Sequence, residues 1–239
     1  AVPHTISLGL APRFLKLGVK VIDLSADFRI QNINVYKKWY DTAHTQPGLL
    51  KKAVYGLPEL YKTKIKKAGL LANPGCYPTS IILGIVPVLK NISQSHIRIS
   101  SVTGSSGAGR KASLPLLFSE CINNLRPYKV LNHQHQPEIE QELSKAAKKK
   151  IKISFVPNIG PLERGIISVI FLKLRKNYFT KEIINIYKSF YKNSAFVKIL
   201  PEGIYPEVKN VIYSNYCHIG IKAEGKELIV ITAIDNLRK

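Results

Sequence analysis

The stretch Asn73-Pro74-Gly75-Cys76-Tyr77-Pro78-Thr79 sets a tight turn between two apolar runs. The run before it, residues 68–72, is short. The run after it, residues 81–89, is longer. A short strand, a Pro-Gly turn and the start of a helix fit this order, which commits this part of the chain to an α/β layout. Cys76 stands at the joint. The turn lets the backbone approach a ligand, and Thr79 reads as a helix cap. Unpaired amides of a first helical turn favour a thiolate. A small buried hydrophobe is the competing reading of the same cysteine.

The rest of the chain extends this layout. Residues 6–17 read as a helix that Pro12 delays or kinks, and residues 20–24 as a short buried strand. Ser25, Ala26, Asp27, Phe28 and Arg29 follow its carboxyl end, where ligand sites of α/β folds gather. Residues 36–60 read as a loop-rich, partly helical connection in which His44 is structural or solvated. Residues 97–102 alternate as a strand. They run into Gly104-Ser105-Ser106-Gly107-Ala108-Gly109-Arg110, whose free N–H groups suit an anion; a flexible linker is the plainer reading. Cys121 reads as a buried spacer. A helix begins at Pro137, with His135 at or beside its N-cap, where the helix dipole keeps an imidazole neutral. Glu138 is placed to orient it.

Further on, residues 151–156 read as a strand, 157–161 as a turn and 165–174 as a buried central strand. Residues 179–193 read as an amphipathic helix with Thr180 as its cap. Strands are expected over residues 196–200, 208–214, 217–222 and 227–235, with a hairpin turn at Ala223-Glu224-Gly225-Lys226.

The 36 basic and 15 acidic residues give a formal charge of +21. That excess raises nucleic-acid binding, but the lysines are scattered and their runs fall at helix ends, as at Lys148, Lys149 and Lys150. No nucleic-acid-binding signature accompanies them, so no nucleic-acid partner is expected. A basic surface also draws anionic substrates. No apolar run approaches the roughly 20 residues of a membrane span, so no membrane partner is expected. Cys76, Cys121 and Cys217 are odd in number and far apart, which suits a reducing cytoplasm rather than a disulfide framework. His133 and His135 have the spacing of a metal pair but no third ligand nearby, so no metal is expected. The sequence holds no Met and opens abruptly, so it is expected to be an excerpt of a longer chain.

The cysteine motif resembles the active-site signature of the N-acetyl-gamma-glutamyl-phosphate reductase family, kin to aspartate-semialdehyde dehydrogenases. Other stretches carry the resemblance in the same order. They are Pro3-His4, Ile22-Asp23-Leu24-Ser25-Ala26-Asp27-Phe28-Arg29, Tyr55-Gly56-Leu57-Pro58-Glu59-Leu60, Ser106-Gly107-Ala108-Gly109-Arg110, His133-Gln134-His135-Gln136-Pro137-Glu138-Ile139, Arg164-Gly165-Ile166 and Ile234-Asp235-Asn236-Leu237. The resemblance implies an α/β + α+β fold. Residues 1–75 would be the remainder of an NAD(P)-binding Rossmann domain. Residues 76–239 would be a mixed-sheet catalytic and dimerisation domain, like the C-terminal domain of glyceraldehyde-3-phosphate dehydrogenase.

It also implies an NADP-dependent, thioester-forming reduction of an acyl phosphate in arginine biosynthesis, by a homo-oligomer. Cys76 would be the nucleophile, and His135, or alternatively His133, the proton carrier. Arg110, Arg164 and Glu138 would face the substrate, and Ser25, Ser106 and Gly107 the cofactor. Two departures stand out: Gln134 where the family usually has Arg, and Asn158 where it often has His. The Gly-rich nucleotide-binding turn is not found, so weak activity is expected of this stretch by itself. A sibling reductase of a longer acyl phosphate and a non-catalytic remnant are the alternatives.

Overall fold

The computed structural model describes residues 2–109 and 113–239. The chain forms two compact units, Ala1–Gly75 and Cys76–Lys239.

The first unit runs α1 (Ile6–Lys16), β1 (Val21–Asp23), α2 (Ile33–Tyr40), α3 (Pro47–Lys52), β2 (Val54–Tyr55), α4 (Pro58–Lys67) and β3 (Leu70–Ala72). The three strands form a parallel sheet in the order β1-β3-β2. Prolines open α3 and α4, where no N–H is needed. The Asn32 side chain caps α2 by accepting from the N–H groups of Asn34 and Val35. Leu8 and Ala11 of α1 pack on Phe28, Leu50, Ala53, Leu70 and Ala72. The buried strand expected over residues 20–24 is only partly so: Asp23 is buried while Ile22 is 66% exposed, because successive side chains of β1 point to opposite faces and only one face is covered there.

The second unit runs α5 (Cys76–Ile85), β4 (His96–Thr103), α6 (Phe118–Cys121), β5 (Arg126–Pro127), α7 (Gln136–Ala147), β6 (Lys152–Ile159), β7 (Ile166–Lys173), α8 (Thr180–Phe190), β8 (Val197–Ile199), β9 (Cys217–Glu224) and β10 (Glu227–Ile234). Among the described residues its strands form one mixed sheet, β5-β6-β4-β7-β10-β9-β8. β4 runs parallel to β6 and antiparallel to β7, and β10 is antiparallel to both β7 and β9. Together with the first unit this is the expected pairing of an α/β layer with a mixed-sheet α+β body.

Four local expectations differ. α5 begins at Cys76, so Thr79 lies inside the helix, buried, and does not cap it. Pro157 and Asn158 belong to β6 rather than to a turn. The Pro157 carbonyl accepts from the Tyr128 N–H, one residue beyond the two-residue ladder that β5 makes with β6, near the margin of the sheet where a proline is tolerated. Thr180 is the first residue of α8 rather than its cap. Its hydroxyl bonds to both the N–H and the C=O of Ala223 and ties the helix to β9. Residues 208–214 form a short 3-10 turn and loop instead of a strand. There Tyr213 takes a left-handed φ of 61°, which breaks the extended pattern.

α5 is the helix the sheet is built around. Every residue from Tyr77 to Ile85 is buried, as suits a helix apolar on all sides. Its contact with the sheet is small and polar at one spot. Ser80 Oγ meets Ser168 Oγ at 3.0 Å and Thr232 Oγ1 at 2.7 Å, and Ser101 Oγ donates to Ser168 at 2.8 Å. One turn on, a Cβ at Gly84 would come within 2.6 Å of Ile170 Cδ1 and 2.9 Å of Thr232 Cγ2, so the helix sits there only because the residue is glycine. The far end of α5 is held by α8 and the residue that follows it: Tyr191 and Tyr187 donate to the carbonyls of Leu83 and Gly84 at 2.7 and 2.5 Å.

Candidate active site

Ser80 meets Ser168, and Gly84 faces Ile170, so α5 runs along β7 from its Ile166 end toward its Lys173 end. Cys76 stands one turn before Ser80 and therefore at the Ile166 end. The register brings the ends of four strands there. Thr103 lies opposite Ile159 and Ile166, and Ile166 opposite Ile234. The segments leaving that end are residues 104–109, 160–165 and 235–237. These carry Ser106, Gly107, Arg164 and the Asp235-Asn236 pair, so one edge of the sheet gathers chemistry that is scattered in sequence.

Cys76 is half-buried and is the first residue of α5. The next residue, Tyr77, is buried and carries the contact to the histidines. Its ring centroid lies 5.3 Å from that of His133 and 6.0 Å from that of His135, and the two imidazoles lie 4.8 Å apart. Tyr128 Oη donates to Tyr77 Oη at 3.1 Å and lies 3.4 Å from His133 Nε2. Burial pushes the Tyr77 hydroxyl far above its ordinary range, with Tyr128 and Cys76 adding to it. Burial likewise raises Tyr128, to about 12, and the Cys76 charge again opposes ionisation. Both phenols are therefore fixed donors beside the sulfur, not bases.

The two histidines differ. His133 is buried, and its pKa falls to about 4, first through desolvation and then through the charge of Lys129. Its Nδ1 accepts the backbone N–H of His135 at 3.1 Å. A neutral His133 thus carries its proton on Nε2, facing Tyr128. His135 is half-exposed and is the N-cap residue of α7, where its side chain makes no cap bond. Glu138 is completely buried in the first turn of α7.

Arg164 has a side chain that is 15% exposed and bonds through Nη2 to Asp235 Oδ1 at 3.2 Å. Its segment is pinned to the Gly/Ser turn by three backbone bonds, from Gly104 to Gly165, Ser105 to Leu162 and Ser106 to Glu163. Gly104 must be glycine, since a Cβ there would lie 2.6 Å from backbone atoms of Glu163 and Arg164. Ser106 Oγ accepts from Asn236 Nδ2 at 3.1 Å, while a Cβ on exposed Gly107 would crowd Asn236. Arg110 lies outside the described residues.

In the first unit, Ser25 is buried. Its N–H and hydroxyl both go to Asp23, at 3.0 and 2.9 Å, and its oxygen accepts from the Asp27 N–H at 3.1 Å. Ser25 thus shapes the turn after β1 rather than presenting a hydroxyl. Asp27 is held by the Thr5 N–H and the Tyr36 hydroxyl, and His44 bonds to its carbonyl, so His44 is structural as expected. Cys121 is buried, as expected of a spacer. Tyr77, Tyr128 and Asp235 were not singled out by the sequence. Tyr77 and Asp235 stand inside quoted motifs, while nothing local marks Tyr128.

Two family models cover the chain: "Semialdehyde dehydrogenase, NAD binding domain" over residues 1–68 and "Semialdehyde dehydrogenase, dimerisation domain" over residues 76–236. The chain is 48% identical over 243 residues to the N-acetyl-gamma-glutamyl-phosphate reductase of Alkaliphilus metalliredigens. It is 47% identical over 242 residues to that of Thermoanaerobacter pseudethanolicus. Both alignments take in 100% of this chain and 70% of the relative. The chain belongs to the N-acetyl-gamma-glutamyl-phosphate reductase family. Members of this family are oxidoreductases, and the matched NAD binding domain marks a nicotinamide cofactor.

The fold agrees. Aspartate semialdehyde dehydrogenase II from Vibrio cholerae superposes with a TM-score of 0.75 at 15% identity, covering 100% of this chain and 74% of that one. An aspartate semialdehyde dehydrogenase from Candida albicans, solved with NADP, gives 0.66 at 11% identity, covering 99% and 71%. Among the described residues, no helix is long and apolar enough to cross a membrane.

Proposed function

We propose that the chain reduces N-acetyl-γ-glutamyl phosphate to N-acetylglutamate semialdehyde through a thioester on Cys76, in arginine biosynthesis in the cytoplasm. The observation that carries this reading is the placement of Cys76. It opens α5 at the sheet end where the His133/His135 pair and Arg164 also lie. First-turn amides favour the thiolate there, and His135 takes the thiol proton. The sulfur attacks the acyl carbon, the C–S bond forms, and the C–O bond to phosphate breaks, releasing inorganic phosphate. A bound NADPH would supply the hydride that reduces the thioester carbonyl. N–H groups of the first turn of α5 steady the oxyanion next to Cys76. Breaking the C–S bond then returns the thiolate and frees the aldehyde.

Arg164, with Arg110, binds the substrate's anionic groups; a guanidinium is well shaped for a carboxylate. Glu138 supports the histidine end of the substrate site from within α7. Ser106 and Gly107 would contact the cofactor from the Gly/Ser turn, and Ser25 would contribute through the turn it shapes after β1. The dimerisation-domain match supports a homo-oligomer.

The test is substitution of the sulfur. Cys76→Ser is expected to fold with an unchanged thermal midpoint and lose turnover by several orders of magnitude. In the unaltered protein, Cys76 is expected to alkylate faster near neutral pH than Cys121 or Cys217. Near-normal turnover in the serine variant would reject the nucleophile assignment.

A further inference from the structure

Asp235 and Tyr213 form a clamp around Arg164. Asp235 is completely buried. Its Oδ1 accepts from Arg164 Nη2 at 3.2 Å and from the N–H groups of Leu237 and Arg238 at 2.8 and 3.0 Å. Its Oδ2 accepts from the Tyr213 N–H at 2.6 Å. One carboxylate therefore holds the arginine with one oxygen and the tyrosine backbone with the other.

Tyr213 completes the clamp through its ring, which lies 4.5 Å from the Arg164 guanidinium carbon. The ring reaches that place from an unfavourable backbone. A φ of 61° is left-handed, a region a bulky residue enters only when its surroundings hold it there. Asn or Gly would take this turn without strain, yet the position carries a tyrosine that is 57% exposed. A side chain of this size, strained and half in solvent, adds little to the core. What it does is cover one face of a guanidinium. Arg164 Nε is buried and, among the described residues, bonds to no protein acceptor. The edge of the guanidinium left by Asp235 thus keeps donors in hand.

We propose that Tyr213, fixed in its left-handed conformation by Asp235, is a positioning residue for Arg164. It holds the guanidinium plane so that the remaining N–H groups meet the substrate carboxylate edge-on. This rests on the reading of Arg164 as the carboxylate receptor. Stacking of this kind attracts the guanidinium to the negative face of the ring. It acts on ground-state binding, so it belongs in KM and not in kcat.

The experiment compares Tyr213→Asn, Tyr213→Phe and Arg164→Ala in the full chain. The readouts are steady-state reduction of the acyl phosphate and calorimetric binding of N-acetylglutamate as a carboxylate probe. Tyr213→Asn keeps a residue that tolerates the left-handed turn and removes the ring. It is expected to keep or raise the thermal midpoint, raise KM and probe Kd about three- to tenfold, and leave kcat unchanged. Tyr213→Phe is expected to match the unaltered protein. If Arg164→Ala leaves KM and probe binding unchanged, the reading of Arg164 fails, and the clamp with it. If Arg164→Ala weakens binding while Tyr213→Asn does not, only the clamp is overturned. A Tyr213→Phe variant as impaired as Tyr213→Asn overturns it too, since the hydroxyl and not the ring would then be what acts.

Discussion

The backbone N–H of His135 donates to Nδ1 of His133 at 3.1 Å. This bond separates two histidines that look interchangeable in sequence. His133 is buried, neutral and committed at Nδ1 to its neighbour, with Nε2 toward Tyr128. It sets where His135 sits. His135→Asn is expected to lower kcat about 10²- to 10⁴-fold, the usual contribution of a general acid or base. His133→Asn keeps an acceptor near the Nδ1 position and is expected to lose tenfold or less. Equal losses in rapid-mixing assays of the two variants would reject this division of labour.

The depressed pKa of His133 has a consequence for stability. The folded chain releases a proton at His133 that the unfolded chain keeps between about pH 4 and the ordinary histidine value near 6.5. Stability from this group is therefore complete above about 6.5 and is lost as pH falls toward 4, by about 3 kcal/mol in all. Asp235 acts in the same direction at lower pH. Burial alone would raise it, but hydrogen bonds from the Leu237 and Tyr213 N–H groups, the Arg164 charge and the Arg238 N–H hold it below its ordinary value. Urea unfolding from pH 4 to 7 should show a flatter pH slope for His133→Asn than for the unaltered protein. Parallel slopes would contradict the buried neutral ring.

Gly84 is where α5 meets the sheet most closely. Gly84→Ala would set a methyl 2.6 Å from Ile170 Cδ1 and 2.9 Å from Thr232 Cγ2. The end of an isoleucine can yield, but a threonine methyl on the stiff β10 strand cannot easily do so. We expect a loss of about 1–3 kcal/mol and a changed alkylation rate at Cys76, because the helix that carries it must lift. Unchanged stability with unchanged alkylation would mean that the contact is looser than it looks.

The features legible in the sequence were those with local causes. The strand-turn-helix around Cys76, the helix opening at Pro137 and the hairpin at Gly225 follow from proline, glycine and apolar spacing, and each is present. The ordered motifs carried the family. What stayed hidden depends on distant partners. Residues 208–214 alternate like a strand, yet Asp235, 22 residues beyond Tyr213, takes the Tyr213 N–H and a left-handed turn results. Pro157 reads as a turn until the register sets it in β6 opposite Ser101 of β4, one residue before the short β5 ladder. Tyr128 joins the site only because residues 126–127 pair with the end of β6 and bring its hydroxyl to Tyr77.

The last case concerns how α5 ends. In a regular helix the Leu83 carbonyl would accept from the N–H of the residue four places on. That residue is Pro87, which has none. Tyr191 of the segment after α8 fills the gap, donating to Leu83 at 2.7 Å in a fully buried setting. Tyr191→Phe removes only the donor and should cost about 1–3 kcal/mol, or a few degrees in Tm. The same substitution in a Pro87→Ala background should cost less, because the alanine N–H can take the carbonyl. A double-mutant cycle read by thermal unfolding measures this coupling. If Tyr191→Phe costs the same in both backgrounds, the phenol does not stand in for the missing amide.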